Sequence, residues 1–337
     1  MTKIDNLLDK PLVDKCTNKI WVILNPIAGK GKALKQYPKI KRILKDSGRD
    51  FEIILTKESG DALNMARDLP VGSDDITVAA GGDGTCNEVI NGLLMRPKNE
   101  NFPEAVPLFG VLPIGRGNDF SSTPKIPQDV EKACSLLISS IKQSSCIKPI
   151  DAGFVKGGFF PQGRFFVNGI GIGFDTKVGF EAAKLKIKSG ISYVIAALIL
   201  VARFEPSPVL KISYTDNEQN NVETTLPAVL VSVVNGRRMG GSFYMGPDAL
   251  LDDGLLDICY VKHIPSRLGL LKIISHYTKG TQGQLDGVTF GRGTFFRLTA
   301  LEGGMAAHCD GETVCYDGKE LEISCVPNAL RLIVPGV

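Results

Sequence analysis

Several common functional signatures are missing from this chain of 337 residues. No G-x-x-x-x-G-K-[ST] stretch and no G-x-G-x-x-G stretch occurs, which removes the fingerprints of P-loop nucleotidases and of dinucleotide-binding folds. The eight cysteines (Cys16, Cys86, Cys134, Cys146, Cys259, Cys309, Cys315 and Cys325) stand singly, with no C-x-x-C. They read as reduced thiols, not as a zinc site or a redox pair. The three histidines, His263, His276 and His308, form no zinc-ligand spacing. A formal charge of +3 is too small to point to nucleic acid, so none is expected as a partner. Residues 191–202 are almost wholly apolar, but a bilayer-spanning helix needs about 20 such residues. The polar N-terminal stretch resembles neither a signal peptide nor an anchor. Together these absences lead us to expect a cytoplasmic protein.

What the chain does have is three glycine loops, each following an apolar run. Residues 76–80 read as a short buried strand leading into Gly81-Gly82-Asp83-Gly84-Thr85-Cys86-Asn87-Glu88, after which Val89, Ile90, Leu93 and Leu94 recur at helical spacing. Glycines let the backbone approach a ligand closely, and the following helix aims its free N–H groups at whatever sits in the turn. A phosphate suits that position. Asp83 is the odd member, since a carboxylate repels phosphates unless a cation intervenes; the alternative is that it caps the helix beginning near Thr85. Upstream, residues 20–24 run into Asn25-Pro26-Ile27-Ala28-Gly29, followed by a helical pattern through Leu34, Ile40, Ile43 and Leu44. Downstream, residues 109–112 enter Gly115-Arg116-Gly117-Asn118-Asp119-Phe120. Open α/β sheets bind ligands at the carboxyl ends of their strands, which is where all three loops fall.

In this order these motifs resemble the diacylglycerol kinase catalytic-domain family, which includes bacterial lipid kinases and sphingosine kinases. The resemblance continues through Gly171-Ile172-Gly173-Phe174-Asp175, Asp252-Asp253-Gly254-Leu255 and Asp310-Gly311-Glu312, and so covers the chain from about residue 19 onward. It implies an ATP site lined by Asn25, Pro26, Ile27, Ala28, Gly29, Thr56, Gly81, Gly82, Asp83, Gly84, Thr85, Cys86, Asn87 and Arg116. Thr56 also follows the strand-like residues 51–55, at the same sheet edge. Asp83 becomes the partner of a catalytic Mg²⁺, and Glu312 the general base, with Asp310 supporting it or the metal network. The alternative for Asp310-Gly311 is an ordinary hairpin turn. A structural Mg²⁺ is implied at the Asp253 carboxylate and the backbone oxygens of Leu250 and Leu255; a solvated turn is the alternative. Arg116 departs from the Thr or Ser usual at its place, exchanging a hydroxyl for a charged fork.

The chain changes style near residue 147. Apolar strands alternate with helical patterns before it, the signature of βαβ units. Strand-like runs dominate after it, over residues 164–168, 209–214, 228–234, 255–261, 295–301 and 321–326, with helical patterns over 175–183, 191–202 and 267–277. The fold class expected is α/β plus mainly antiparallel β. Its parts are an N-terminal extension (1–18), an ATP-binding α/β domain (19–147), and a β-sandwich-like substrate domain (148–327). By resemblance, residues 328–337 return to the first domain and a cleft between the domains holds ATP against the lipid headgroup. The function expected is an ATP- and Mg²⁺-dependent lipid kinase acting on a diacylglycerol-like hydroxyl. Alternatives are a sphingoid base or phosphatidylglycerol as acceptor, an NAD kinase, or a binding protein without turnover. The partner expected is a lipid substrate at a membrane surface, met peripherally. Residues 191–202 form either a buried helix or an interfacial element, with the lysines of 184–188 near headgroups. A homodimer is also expected.

Overall fold

The computed structural model describes residues 19–96, 106–140, 144–185, 191–203, 206–241, 243–262 and 266–336; Cys16, His263, Lys186 and Lys188 lie outside them. Two compact units are present, one taking the described residues up to Ile150 and from Ala329 on, the other Asp151–Asn328.

The first unit alternates strictly: β1 (Ile20–Leu24), α1 (Ala28–Asp46), β2 (Phe51–Leu55), α2 (Asp61–Asp68), β3 (Ile76–Gly81), α3 (Asp83–Leu94), β4 (Leu108–Pro113), α4 (Asp119–Ser122) and α5 (Val130–Ser140). Its strands pair in parallel in the order β4-β3-β1-β2. Arg331 and Leu332, near the end of the chain's last strand, add a parallel partner outside β4. Every residue of β1, β3 and β4 is buried, because helices cover both faces. Ile20, Val22, Leu24, Ile76, Val78 and Ala80 point to one face, where Ala33, Ile40 and Leu44 of α1 meet Cys134 and Leu137 of α5. Helices α2 and α3 take the opposite face.

Asp75 ties down the entry to this sheet. Its carboxylate accepts the Lys19 amide at 2.8 Å, the Trp21 indole N–H at 3.0 Å and the Gly72 amide at 2.9 Å. Asp75→Ala leaves three donors without that acceptor and should cost about 1–3 kcal/mol. Trp21 is the chain's one tryptophan and is buried, so urea unfolding followed by its fluorescence reads the loss directly. An unchanged midpoint would show that water replaces the carboxylate without penalty.

The second unit runs β5 (Ile147–Gly157, beginning in the first unit), β6 (Phe160–Phe166), β7 (Gly169–Gly173), α6 (Phe174–Lys184), α7 (Ile191–Arg203), β8 (Val209–Asp216), β9 (Asn221–Val234), β10 (Arg238–Met239), β11 (Phe243–Tyr244), β12 (Leu256–Lys262), α8 (Arg267–Lys279), β13 (Val288–Glu302), β14 (Met305–Cys309), β15 (Glu312–Gly318) and β16 (Glu320–Ile333). Two strands are long enough to serve two layers. The first half of β9 pairs with β8 and its second half with β7 and β12. Likewise β13 pairs first with β12, then with β8 and β16. Between the layers lies a core in which Ile170, Ile172, Val231, Val233 and Ile258 oppose Leu210, Ile212, Phe296, Leu298 and Ile323.

Helix α7 spans the apolar stretch singled out in the sequence. Ala196 and Leu200 are buried against Val178 and Ala182 of α6, while Leu198 is exposed. No helix among the described residues is long and apolar enough to cross a membrane.

Candidate functional site

In the first unit, the loops leaving β1, β3 and β4 meet at the carboxyl edge of the sheet. After Asn25 and Pro26 the backbone turns left-handed through Gly29, Lys30 and Gly31, with φ of 59°, 60° and 82°. Glycine is required at 29, since a Cβ there would stand 2.3 Å from the Ile114 carbonyl oxygen of the third loop. Gly115 is equally constrained, its Cβ position lying 2.4 Å from Gly82 Cα in the second loop. The three loops therefore form one layer of closely packed backbone.

Asn25 bridges the first two. It donates through Nδ2 to Thr85 Oγ1 at 3.2 Å and accepts the Ile27 amide on Oδ1 at 3.1 Å. Thr56 is buried just past β2, its amide on the Leu24 carbonyl at 3.0 Å, which sets it beside Asn25. Cys86 and Asn87 are buried behind the loop, whereas Gly84, Ile27 and Arg116 are exposed on it. Helix α3 begins after Gly82 with no side-chain cap, so its first-turn amides face the loop's outer side. Glu88, whose role the sequence left open, accepts the Gly60 and Ala62 amides at 3.0 and 3.2 Å and ties the entry of α2 to α3.

Asp83 reaches beyond its own helix, whose first amide also acts on the carboxylate. Its Oδ1 accepts the Phe120 amide at 3.2 Å, and the amides of Asn118 and Asp119 also act on the carboxylate. The helix it caps is thus α4, whose N-cap residue Asn118 makes no side-chain cap bond. Burial pushes the Asp83 carboxyl up, and the amides pull the other way without cancelling it. Gly117 leaves room beside the other Asp83 oxygen. A Cβ at 117 would stand 3.0 Å from Asp83 Oδ2 and 3.7 Å from Asp119 Oδ2, so two carboxylates flank a space that a side chain would fill. Such a hard oxygen pair fits a divalent cation. Asp119 lies in the third-loop motif, where the sequence gives it no role of its own.

In the second unit, Asp310 and Gly311 link β14 to β15 with φ of 44° and 86°, as in a type I′ hairpin. The hairpin reading describes the turn. Asp310 accepts the amides of Val167, Asn168 and Gly169 at 2.8, 3.1 and 3.0 Å, which anchors the hairpin to the β6–β7 connection. Glu312 opens β15, and Arg164 of β6 grips it with both prongs, Nε on Oε2 at 2.7 Å and Nη2 on Oε1 at 2.6 Å. Arg164 was read only as part of a strand. A buried arginine implies an acid partner, but nothing local says which one. His308 and Asp175 form a further pair that sequence spacing does not reveal, Nε2 standing 3.4 Å from Oδ2. Gly171 makes room for it, since a Cβ there would lie 1.9 Å from that carboxylate oxygen.

At the Asp-Asp-Gly turn, where the resemblance implies a bound ion, both Asp253 oxygens have partners within the protein. Asp253 Oδ1 accepts the Leu255 amide at 3.1 Å, while Oδ2 is ion-paired with Arg292 Nη2 at 3.1 Å. Leu250 is partly exposed beside it. Among the described residues no group of three His, Cys, Asp or Glu side chains is arranged to hold a metal.

Amide-lined loops at a parallel sheet edge suit phosphate groups, and a clamped carboxylate suits an acceptor hydroxyl. The class is that of phosphotransferases acting on an alcohol. Residues 19–149 match the diacylglycerol kinase catalytic domain, and residues 168–334 the YegS C-terminal NAD kinase beta sandwich-like domain. A diacylglycerol kinase of Bacillus subtilis (strain 168) is 31% identical over 72% of this chain and 73% of its own. A protein of Enterobacter sp. (strain 638) named "Probable lipid kinase YegS-like" is 29% identical over 87% of this chain and 89% of its own. The crystal structure of a diacylglycerol kinase from Bacillus anthracis str. Sterne has the same fold, with a TM-score of 0.64, 24% identity, and coverage of 96% of this chain and 98% of that one. The chain belongs to the diacylglycerol kinase family.

Proposed function

We propose that this protein is an ATP- and Mg²⁺-dependent lipid kinase that phosphorylates a primary hydroxyl, with diacylglycerol-like acceptors favoured over sphingoid bases and phosphatidylglycerol. The observation that carries the reading is Asp83, one oxygen fastened to the third loop and the other facing Gly117, with the Asp119 carboxylate near the same glycine. Phosphoryl transfer needs positioning, charge neutralisation and a destination for the hydroxyl proton. Loop amides from Gly29 and from Gly82 to Thr85 position the phosphates, and Asn25 and Thr56 hold those loops in place. Mg²⁺, when bound by Asp83 and Asp119, neutralises phosphate charge. Arg116 offers a guanidinium to a phosphate oxygen where relatives offer a hydroxyl. Glu312 accepts the proton of the lipid hydroxyl. Arg164 keeps that carboxylate aimed, and each of its oxygens retains a further lone pair. The acceptor is met at a membrane surface by a protein of the cytoplasm.

Transfer of label from radioactive ATP to diacylglycerol, sphingosine, phosphatidylglycerol and NAD, the lipids in mixed micelles, tests the reading. Labelled diacylglycerol is expected; label in NAD and in no lipid would replace it with the NAD kinase alternative.

Arg164→Met should lower kcat roughly 10²-fold by letting Glu312 swing, with KM for ATP little changed. Arg164→Lys keeps the charge but not the fork and should recover only part of the rate. Full kcat in Arg164→Met would show that the clamp plays no part in the reaction.

A further inference from the structure

The turn after Ala249 gathers acids. Asp253 is close enough to Asp151 and to Asp257 for their charges to act on one another, and Asp252 also acts on Asp151. Backbone bonds settle its shape without neutralising it. The Gly254 amide donates to Asp151 Oδ2 at 2.7 Å, the Asn328 amide to Asp151 Oδ1 at 2.8 Å, and the Leu255 amide to Asp253 Oδ1 at 3.1 Å. A cation bound to Asp253, Leu250 and Leu255 would balance the charge, as the family resemblance implies.

The strand register supplies a balance of its own. Arg292 of β13 stands directly opposite Asp257 of β12 in the antiparallel ladder. From there its Nε donates to Asp257 Oδ1 at 3.0 Å, and its Nη2 reaches back to Asp253 Oδ2 at 3.1 Å. A Mg²⁺ sits about 2.1 Å from a ligating carboxylate oxygen, so an ion on Asp253 Oδ2 would lie within roughly 5 Å of the guanidinium. Two positive charges that close repel. The donor set does not fit a cation here.

We propose that Arg292 is the built-in counter-ion of the Asp253 turn, occupying the place of a structural divalent cation. The second unit of this protein then needs no metal for its stability, whatever the nucleotide in the first unit requires. The guanidinium is supplied by the fold itself, from a strand position fixed by pairing, and is held whenever β12 and β13 are paired.

Thermal unfolding of the nucleotide-free protein in EDTA and in millimolar MgCl₂ tests this without reference to kinase activity. The wild type should melt at the same temperature in both. Arg292→Gln should melt lower in EDTA and recover with MgCl₂, because an ion that binds only the folded state stabilises it by mass action. A wild-type melting temperature that rises with MgCl₂, with the rise lost in Asp253→Asn, overturns the proposal. So does a folded Arg292→Gln that is indifferent to the ion. If Arg292→Gln does not fold, Mn²⁺ binding to the nucleotide-free wild type and Asp253→Asn, followed by electron paramagnetic resonance, decides. Equal binding supports the guanidinium, and a site present only in the wild type refutes it.

Discussion

Glu312→Gln should lower kcat by about 10²–10⁴-fold while nucleotide affinity stays near the wild-type value. The substitution keeps the side chain's shape and removes its ability to take a proton as charge moves to phosphorus. It also sets an amide NH₂ against one prong of the Arg164 fork, so one of the two bonds at 2.6–2.7 Å is lost. That cost falls on the second unit, whereas the loops expected to bind ATP belong to the first. Steady-state kinetics with a lipid acceptor, paired with ATP titration by calorimetry, separate the two effects. A Gln variant within a few-fold of wild-type kcat would remove Glu312 as the base and leave the Arg164 pair as a structural clamp.

Asp83→Asn should reduce kcat/KM by roughly 10²-fold or more, since charge neutralisation at a phosphoryl group is worth several kcal/mol. Its effect on stability should be small and of the opposite sign. The Asn oxygen can still accept the Phe120 amide, so the tie to the third loop survives. Burial raises the Asp83 carboxyl above its ordinary range. A group raised on folding contributes stability that is full below its unfolded pKa and is lost as pH rises through the folded value. At neutral pH the ionised Asp83 is therefore a cost, and the Asn variant should melt no lower than wild type. The difference should shrink as pH falls into the carboxylate range of about 4. Melting curves across that interval check the sign. A neutral-pH melting temperature well below wild type would mean that the carboxylate holds the loops together, not a cation.

Much of the first unit was legible because both of its signals are local. Apolar strands buried on two faces alternate with helical stripes, and each glycine loop falls between one and the next. The second unit was legible as strand-rich but not in the number or length of its strands, since six strand-like runs stand against the twelve strands β5 to β16. Asn221 to Thr225 of β9 are mostly exposed and polar, and Gly291 and Gly293 of β13 weaken the strand pattern where the chain passes from one layer to the other. The site divides the same way. Motif residues such as Asp83 and Glu312 announce themselves, but their partners are chosen by pairing across long separations. Arg164 and Glu312 are 148 residues apart, and Arg292 meets Asp253 and Asp257 because β12 and β13 lie side by side. Asp83's hold on α4 belongs to the same class, a tie between two loops that each read as complete alone.

The parallel strand that ends the chain has a consequence for vectorial synthesis. Its Arg331 and Leu332 lie beside Leu108 and Phe109, and the Arg331 guanidinium bonds the Val106 carbonyl, 225 residues earlier. As the polypeptide leaves the ribosome, β4 emerges long before that partner exists, with the backbone groups on one side of a fully buried, apolar strand unpaired. That edge of the first unit is therefore completed only after the second unit has been made.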